Sequence, residues 1–306
     1  MSTHRARLTG FLLLLGCGWG LTQPLTKITV TAGYEPIGMV FWQLLIGALL
    51  LGVLRWRQLG RLPLRPQTFA FWLLIALIGT VIPNSAAFRA TFHLPSGIMS
   101  IVLTTIPMIA FPIALMLGND SFSLRRLFGL CLGLIGVGLI AAPEASLPER
   151  AMIAFLPLAL VAPFCYACEG NIVAKWGTAG LDPFAVLFGA SCIGAVMALP
   201  LAIGTGQMFV PGAPFILADL TLLLSSIIHV LVYTGYVWLI GRAGAVFAGQ
   251  ISYIVTGSGV LWAMLLLGES YSIWIWAALL VMLAGLALVQ PRLADAAPIN
   301  DTPTHA

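Results

Sequence analysis

Apolar runs of about 20 residues fill most of the chain, separated by short stretches rich in Pro, Gly and charge. A run of that length matches a helix crossing a hydrocarbon core about 30 Å thick. Ten can be laid out, at roughly 8–30, 36–54, 68–88, 94–117, 122–142, 151–174, 183–203, 218–240, 243–267 and 270–290. The period-two alternation of barrel strands is absent, and the runs are too long for such strands. Connectors such as RWRQLGRLPLRP and GQMFVPGAP carry turn-forming residues. None is long enough for a separate soluble domain. The segment 291–306, PRLADAAPINDTPTHA, reads as a disordered tail.

Composition strengthens the pattern. Hydrophobic residues make up 60% of the 306 and charged residues only 8%, against about 25% charged in a soluble domain. Such a chain cannot cover its surface with polar groups, so the lipid bilayer is its solvent. The net charge of +4 forms no basic stripe of the kind that binds nucleic acid. It is distributed by side instead. Alternate loops place Arg5, Arg7, Arg55, Arg57, Arg61, Arg65, Arg125, Arg126, Lys175, Arg242 and Arg292 on the N-terminal side, and Lys27, Arg89 and Arg150 on the other. Eleven against three predicts cytoplasmic termini by the positive-inside rule. A cleaved leader ending in LLGC at Cys17 is the alternative, but the apolar run continues to Thr26, past the length that a leader needs. The five cysteines, Cys17, Cys131, Cys165, Cys168 and Cys192, all fall inside spans. Cys165 and Cys168 form an isolated C-x-x-C that reads as packing rather than as a redox or metal site. P-loop and dinucleotide fingerprints are absent, and no cofactor is expected.

The chain contains itself twice. LGNDSFSLRRLFGLCLGLIGVGL from Leu117 aligns with LLGESYSIWIWAALLVMLAGLAL from Leu266 at an offset of 149 residues. Asp120 meets Glu269, Ser123 meets Ser272 and Gly136 meets Gly285. Carried upstream, the offset pairs Thr104 with Tyr253, Asn84 with Tyr233 and Thr80 with His229. Residues 1–142 and 151–290 then form two units of five spans. Five is odd, so the units are inverted in the membrane. Inverted repeats put a binding site near the midplane between the halves.

These residues resemble the EamA-type proteins of the drug/metabolite transporter superfamily. GCGWGLTQPLTK in the first span is similar to the family's W-G…P-x-x-K entry, and PSGIMSIVLTTIPMIAFPIALML in the fourth to its small-residue stretch with a central proline, here Pro107. GAVFAGQISYIVTGSGVLWAMLLLGES resembles its A-rich helix ending in L-G-E. The resemblance covers nearly all of 8–290. In two places the chain departs from the pattern: Gly118-Asn119-Asp120 stands where L-G-E is expected, and Thr256 stands in the place of the proline. The resemblance implies an all-α carrier of the cytoplasmic (inner) membrane, commonly an exporter of amino acids, metabolites or drugs.

Polar groups inside a membrane are costly and so become candidates for a site. His229, Tyr233 and Tyr236 share a face of the eighth span, and Thr80 and Asn84 sit at matching positions in the third. Glu169 lies in the cytoplasmic half of the sixth span, near Tyr166 and Asn171, where it would face an inter-repeat cavity. Its alternatives are reaching the interface or pairing with a basic loop. Trp19 and Gln23 share a face of the first span, and Gln250 and Tyr253 a face of the ninth, although glutamine also serves as interhelical glue. The substrate-binding set is therefore Trp19, Gln23, Thr80, Asn84, Thr104, Tyr166, Glu169, Asn171, His229, Tyr233, Gln250 and Tyr253. Arg89 and His93 read as headgroup contacts, and Trp262, Trp274 and Trp276 as lipid-facing or belt residues. Pro24 and Pro107 would free helix carbonyls and break or bend their helices. Gly129 and Gly133 form a G-x-x-x-G for close helix packing, within the chain or in a dimer.

Three functions compete. A secondary transporter needs inverted repeats, helix-breaking prolines and a sparse polar cluster, and all three are present. A membrane-embedded lipid-modifying enzyme needs a convergent catalytic constellation that Glu169 and His229 alone do not form. A scaffold would ordinarily carry a soluble domain. The expected substrate is a small amphipathic metabolite such as an amino acid or amine. Low dielectric disfavours the charged form of both Glu169 and His229, making them the candidates for proton coupling. The protein is expected to act as a monomer or homodimer.

Overall fold

A computed structural model describes residues 3–54, 56, 62–63, 65–142, 147–212, 214–243 and 250–289 of the protein. The tail 291–306 expected to be disordered, the start of the ninth span at 244–249, Arg55, Arg57, Arg61 and Arg292, and the side chains of Arg5 and Arg242 lie outside the described residues. Among the described residues, all regular structure is helical. The reason is physical: hydrocarbon offers no partner to a peptide group, so the chain must satisfy its backbone within each segment.

We number the helices α1 (Thr3–Thr31), α2 (Pro36–Leu54), α3 (Pro66–His93), α4 (Ser96–Leu117), α5 (Leu124–Ala141), α6 (Arg150–Trp176), α7 (Pro183–Gly204), α8 (Leu217–Ala243), α9 (Ile251–Leu267) and α10 (Ile273–Val289). Eight contain segments long and apolar enough to cross a bilayer, and α9 and α10 are shorter apolar helices. Local chemistry sets their ends. Pro66 opens α3 and Pro183 opens α7, where the Asp182 carboxylate accepts from the Phe184 and Ala185 amides. Gly118 and Gly268 end α4 and α9 in the left-handed region, with φ of 71° and 64°.

The packing is two-fold in its logic. Helix α1 packs on α8 and α9, and its counterpart α6 packs on α3 and α4. Helix α2 packs on α7, the first half of α4 on α9, and α5 on α10. Exchanging each helix for its repeat mate returns the same set of pairs, as two inverted five-helix repeats require. The α5–α10 pair resolves the glycine motif. A Cβ on Gly129 would lie 2.7 Å from the Gly285 carbonyl oxygen, and one on Gly285 would lie 2.8 Å from that of Gly129. The close packing therefore occurs within the chain, between repeat-related helices.

Three helices are irregular, each close to a proline. In α3 the segment Leu77–Val81 widens into a π-turn just before Pro83. In α4 the helix breaks between Val102 and Thr105, with Ile106 N reaching back only to Leu103 O, 3.1 Å away. Pro107 lacks the N–H that would have continued the ladder to Leu103, so the break falls immediately upstream of it. Helix α6 enters through a 3₁₀ segment, Arg150–Phe155, and breaks again at Leu160 before Pro163. Pro24 behaves differently from expectation: α1 runs through it unbroken. Clamped along its length by α8 and α9, α1 has no slack in which to separate at the proline.

The side opposite the N-terminus is tied together by polar contacts, most of them partly buried. Lys27 Nζ donates to the carbonyls of Thr91, Phe92 and Leu94 at 2.7, 2.9 and 3.0 Å, satisfying the C-terminus of α3. The Glu269 carboxylate accepts from the Ser96 amide at 2.8 Å and the Gly97 amide at 3.2 Å, capping α4, and the Tyr271 hydroxyl donates to it. Tyr34 donates to buried Asp219 at 2.6 Å and stacks on Phe209. Burial, with the Asp219 hydrogen bond adding to it, pushes the Tyr34 phenol up to about 12. Arg89 faces Glu35 at 3.8 Å, an exposed pair of little energetic weight. His93 stacks on Phe155, with ring centroids 3.6 Å apart. These two contacts lie within the protein.

Substituting Gly129→Leu should lower the detergent melting temperature by an amount reflecting about 1–3 kcal/mol of overpacking. Gly138→Leu, at an exposed glycine with nothing within 4 Å, should melt like the parent. Equal melting of all three proteins would remove the α5–α10 contact from the stability of the fold.

Candidate functional site

The irregular segments of α3, α4 and α6 contribute walls to one cavity of about 890 Å³ between the repeats, closed further by α1, α2, α7, α8 and α9. Its lining reaches the N-terminal-side residues Asp120, Arg126, Thr178 and Pro183. On the far side it stops within the helices, at Thr26, Phe88, Thr91 and Leu222, below the sealed turns. The chamber therefore opens toward the side that carries the N-terminus.

Glu169 projects into this chamber against α3. A Cβ on Gly79 would lie 2.9 Å from its Oε1 and 3.0 Å from its Oε2, so the carboxylate rests directly against this glycine and a larger residue there would displace it. Gly79 stands inside the π-turn, a distortion that is frequent at functional sites. Glu169 has no hydrogen bond or ion pair among the described residues. Tyr166 donates to Asn84 Oδ1 at 2.8 Å, and Asn84 Nδ2 donates to Gln43 Oε1 at 3.0 Å. This chain of bonds links α6, α3 and α2.

Opposite lies an aromatic group. The Trp19 ring meets those of His229, Tyr233 and Tyr236 edge-on, at 6.0, 6.1 and 6.0 Å between centroids, and His229 lies nearly parallel to Tyr233 at 6.4 Å. Among the described residues His229 has no carbonyl partner, so it is not a histidine satisfied between helices. Asn171 also lines the cavity, but its amide is spent on the carbonyls of Ala110 and Ala167, at 3.0 and 2.9 Å. It fastens α6 to α4. At the mouth, Arg126 pairs with Asp120, and its guanidinium lies 5.7 Å from the Phe111 ring centroid.

Trp19, Gln23, Thr80, Asn84, Tyr166, Glu169, Asn171, His229, Tyr233 and Pro107 thus share the chamber. Three others do not. Thr104 is fully buried in the α4 break, where its hydroxyl donates to the Ile101 carbonyl at 2.7 Å and closes the turn. Tyr253 packs beside Met108, Phe111, Leu286 and Val289 instead. Gln250 is exposed at the entrance to α9. Trp262 also differs from expectation: its indole donates to the Cys17 carbonyl at 3.1 Å, between α9 and α1. Trp276 meets Tyr271 edge-on, while Trp274 is 41% exposed. The chamber also holds Gln43, Ser225, Ser226, Ser252 and Thr256, which the sequence reading left out. Ser225 and Ser226 precede His229 by four and three residues, so helical spacing from His229 would have found them. Gln43, alone in an apolar run, carried the same signal as Gln23.

The EamA-like transporter family model matches this chain twice, over residues 8–142 and 154–290. The chain belongs to that family. It is accordingly a multi-pass membrane protein of a transporter family, built on the two-repeat plan. No curated protein matches it. Among solved structures, one crystal structure of a protein aligns over 93% of this chain and 97% of its own, with a TM-score of 0.58 and 16% identity. At that identity the likeness concerns the fold alone.

The geometry makes a labelling pattern testable. With the five native cysteines replaced, Glu169→Cys should react with a charged, membrane-impermeant thiol reagent added on the N-terminal side, and hardly from the other. Tyr253→Cys should stay protected from both. Labelling of Glu169→Cys from the far side alone would reverse the assigned opening.

Proposed function

We propose that this protein is a secondary transporter of the inner membrane, exporting a small amphipathic metabolite such as an amine or amino acid by alternating access. The observation that carries the reading is a single chamber between inverted repeats, polar at its centre, open on one side and sealed on the other. The excess of basic residues on the N-terminal side supports cytoplasmic termini, so the open face would be the cytoplasmic one. A substrate would then enter from the cytoplasm and meet Glu169 and the Trp19 aromatic group. Rocking of one repeat against the other would break the contacts of Lys27, Glu269 and Tyr34 and open the far side.

The chain carries no nucleotide-binding motif, so energy would come from a gradient. Glu169 is the unpaired acid of the chamber, and a bare carboxylate inside a membrane is costly. Taking up a proton in exchange for substrate would relieve that cost in each half-cycle. Proton antiport is therefore the coupling we favour, with His229 as the second ionisable group facing the cavity.

In proteoliposomes an imposed pH gradient should drive concentrative movement of substrate. Glu169→Gln should abolish the response to the gradient, and His229→Ala should lower flux more than it lowers membrane abundance. Downhill flux indifferent to pH and to uncouplers would make the protein a facilitator. Loss of flux only in proportion to abundance would assign both residues to structure. Orientation is checked separately: reporters joined after Gln290 should be active only in cytoplasmic form, and reporters joined after Glu35 only in periplasmic form.

A further inference from the structure

Several cations among the described residues are already committed. Lys27 is held by three carbonyls, Lys175 donates to the Leu117 carbonyl at 2.7 Å, Arg125 donates to the Ala287 carbonyl, and Arg126 pairs with Asp120 at the mouth. Arg126 is the only lysine or arginine among the described residues lining the chamber. Among the described residues, Glu169 is thus an acid in a membrane cavity with no ion-pair partner. The rings around the chamber answer to the same kind of guest. Tyr233 and Tyr236 each lie about 6 Å from the Trp19 ring, and Tyr166 stands on the same helix as Glu169. A desolvated cation is attracted to the negative face of such a ring. Nothing complementary exists for an anion. A carboxylate brought deep into the chamber would meet amides and hydroxyls of Gln23, Ser225, Ser226 and Thr256, but no fixed positive charge. The cost of stripping its water would go unpaid.

We propose that the chamber is a site for organic monocations, a protonated amine on an aromatic or aliphatic body, and that it discriminates against the zwitterion of the same shape. The ammonium sits at Glu169 beside Gly79, and the body lies against Trp19, Tyr233 and Tyr236. The proposal rests on the transport reading only in placing the substrate in this cavity. It narrows that reading from amines or amino acids to amines.

Three probes share one ring and differ in charge: tyramine, tyrosine and 4-ethylphenol. Equilibrium binding to the full chain in lipid nanodiscs should favour tyramine over both others by about tenfold or more, the worth of a charge-assisted contact. Glu169→Gln should reduce tyramine binding by a similar factor, and Trp19→Ala should weaken it severalfold while Trp19→Phe restores most of it. The wild-type comparison stands even if a variant fails to fold. Tyrosine binding as tightly as tyramine, a Glu169→Gln protein that keeps full tyramine affinity, or no tyramine binding up to millimolar concentration would each overturn the proposal. Tyramine that binds but is not moved across proteoliposomes would leave this site standing and sink the transport reading. Tyrosine that is both bound and moved would do the reverse.

Discussion

A peptide group in hydrocarbon has no water to turn to, and that constraint shapes this protein. It forces helices wherever the chain meets lipid. It also permits broken backbone only where other protein or a cavity can answer the freed groups. The π-turn in α3 and the gap in α4 face the chamber, and the residues on either side of the α6 break add Ala159 and Ala162 to its wall. The prolines are tolerated for this reason, and they make the chamber possible because a regular helix would fill the same space.

The same constraint explains the polar seal on the far side. Helix ends leave carbonyls and amides unpaired. Lys27 satisfies the end of α3 and Glu269 the start of α4, at the turn joining them. On the other side Lys175 does the same for the end of α4. Few charged residues enter this chain, and several of those described serve as caps. Glu169 is the exception. Its carboxylate is not at a helix end, has no partner among the described residues, and lies against Gly79 of α3.

Some of this was legible in the residues. Glu169, His229, Tyr233 and Asn84 stood out because polar groups are rare in such spans, and all four line the chamber. The repeat offset of 149 residues paired Asn84 with Tyr233 and Thr80 with His229 correctly as chamber residues, but it failed for Thr104 and Tyr253. Those positions sit where the halves have diverged. One half has the proline-driven break with Thr104 closing it, and in the other the Tyr253 side chain packs on residues of α4 and α10.

The number, length and sidedness of the spans, and their duplication, follow from the sequence because a bilayer imposes them on each segment separately. Thickness sets length, transfer energy sets composition, and loop charge sets orientation. Which way each helix faces is a different matter. Helices that are apolar nearly all round carry little amphipathic signal of their own, so their rotation is chosen by the neighbours they pack against. Only the tertiary structure could therefore turn Glu169 toward Gly79, bring Trp19 to Tyr233 and Tyr236, and send Tyr253 and Trp262 to interhelical contacts.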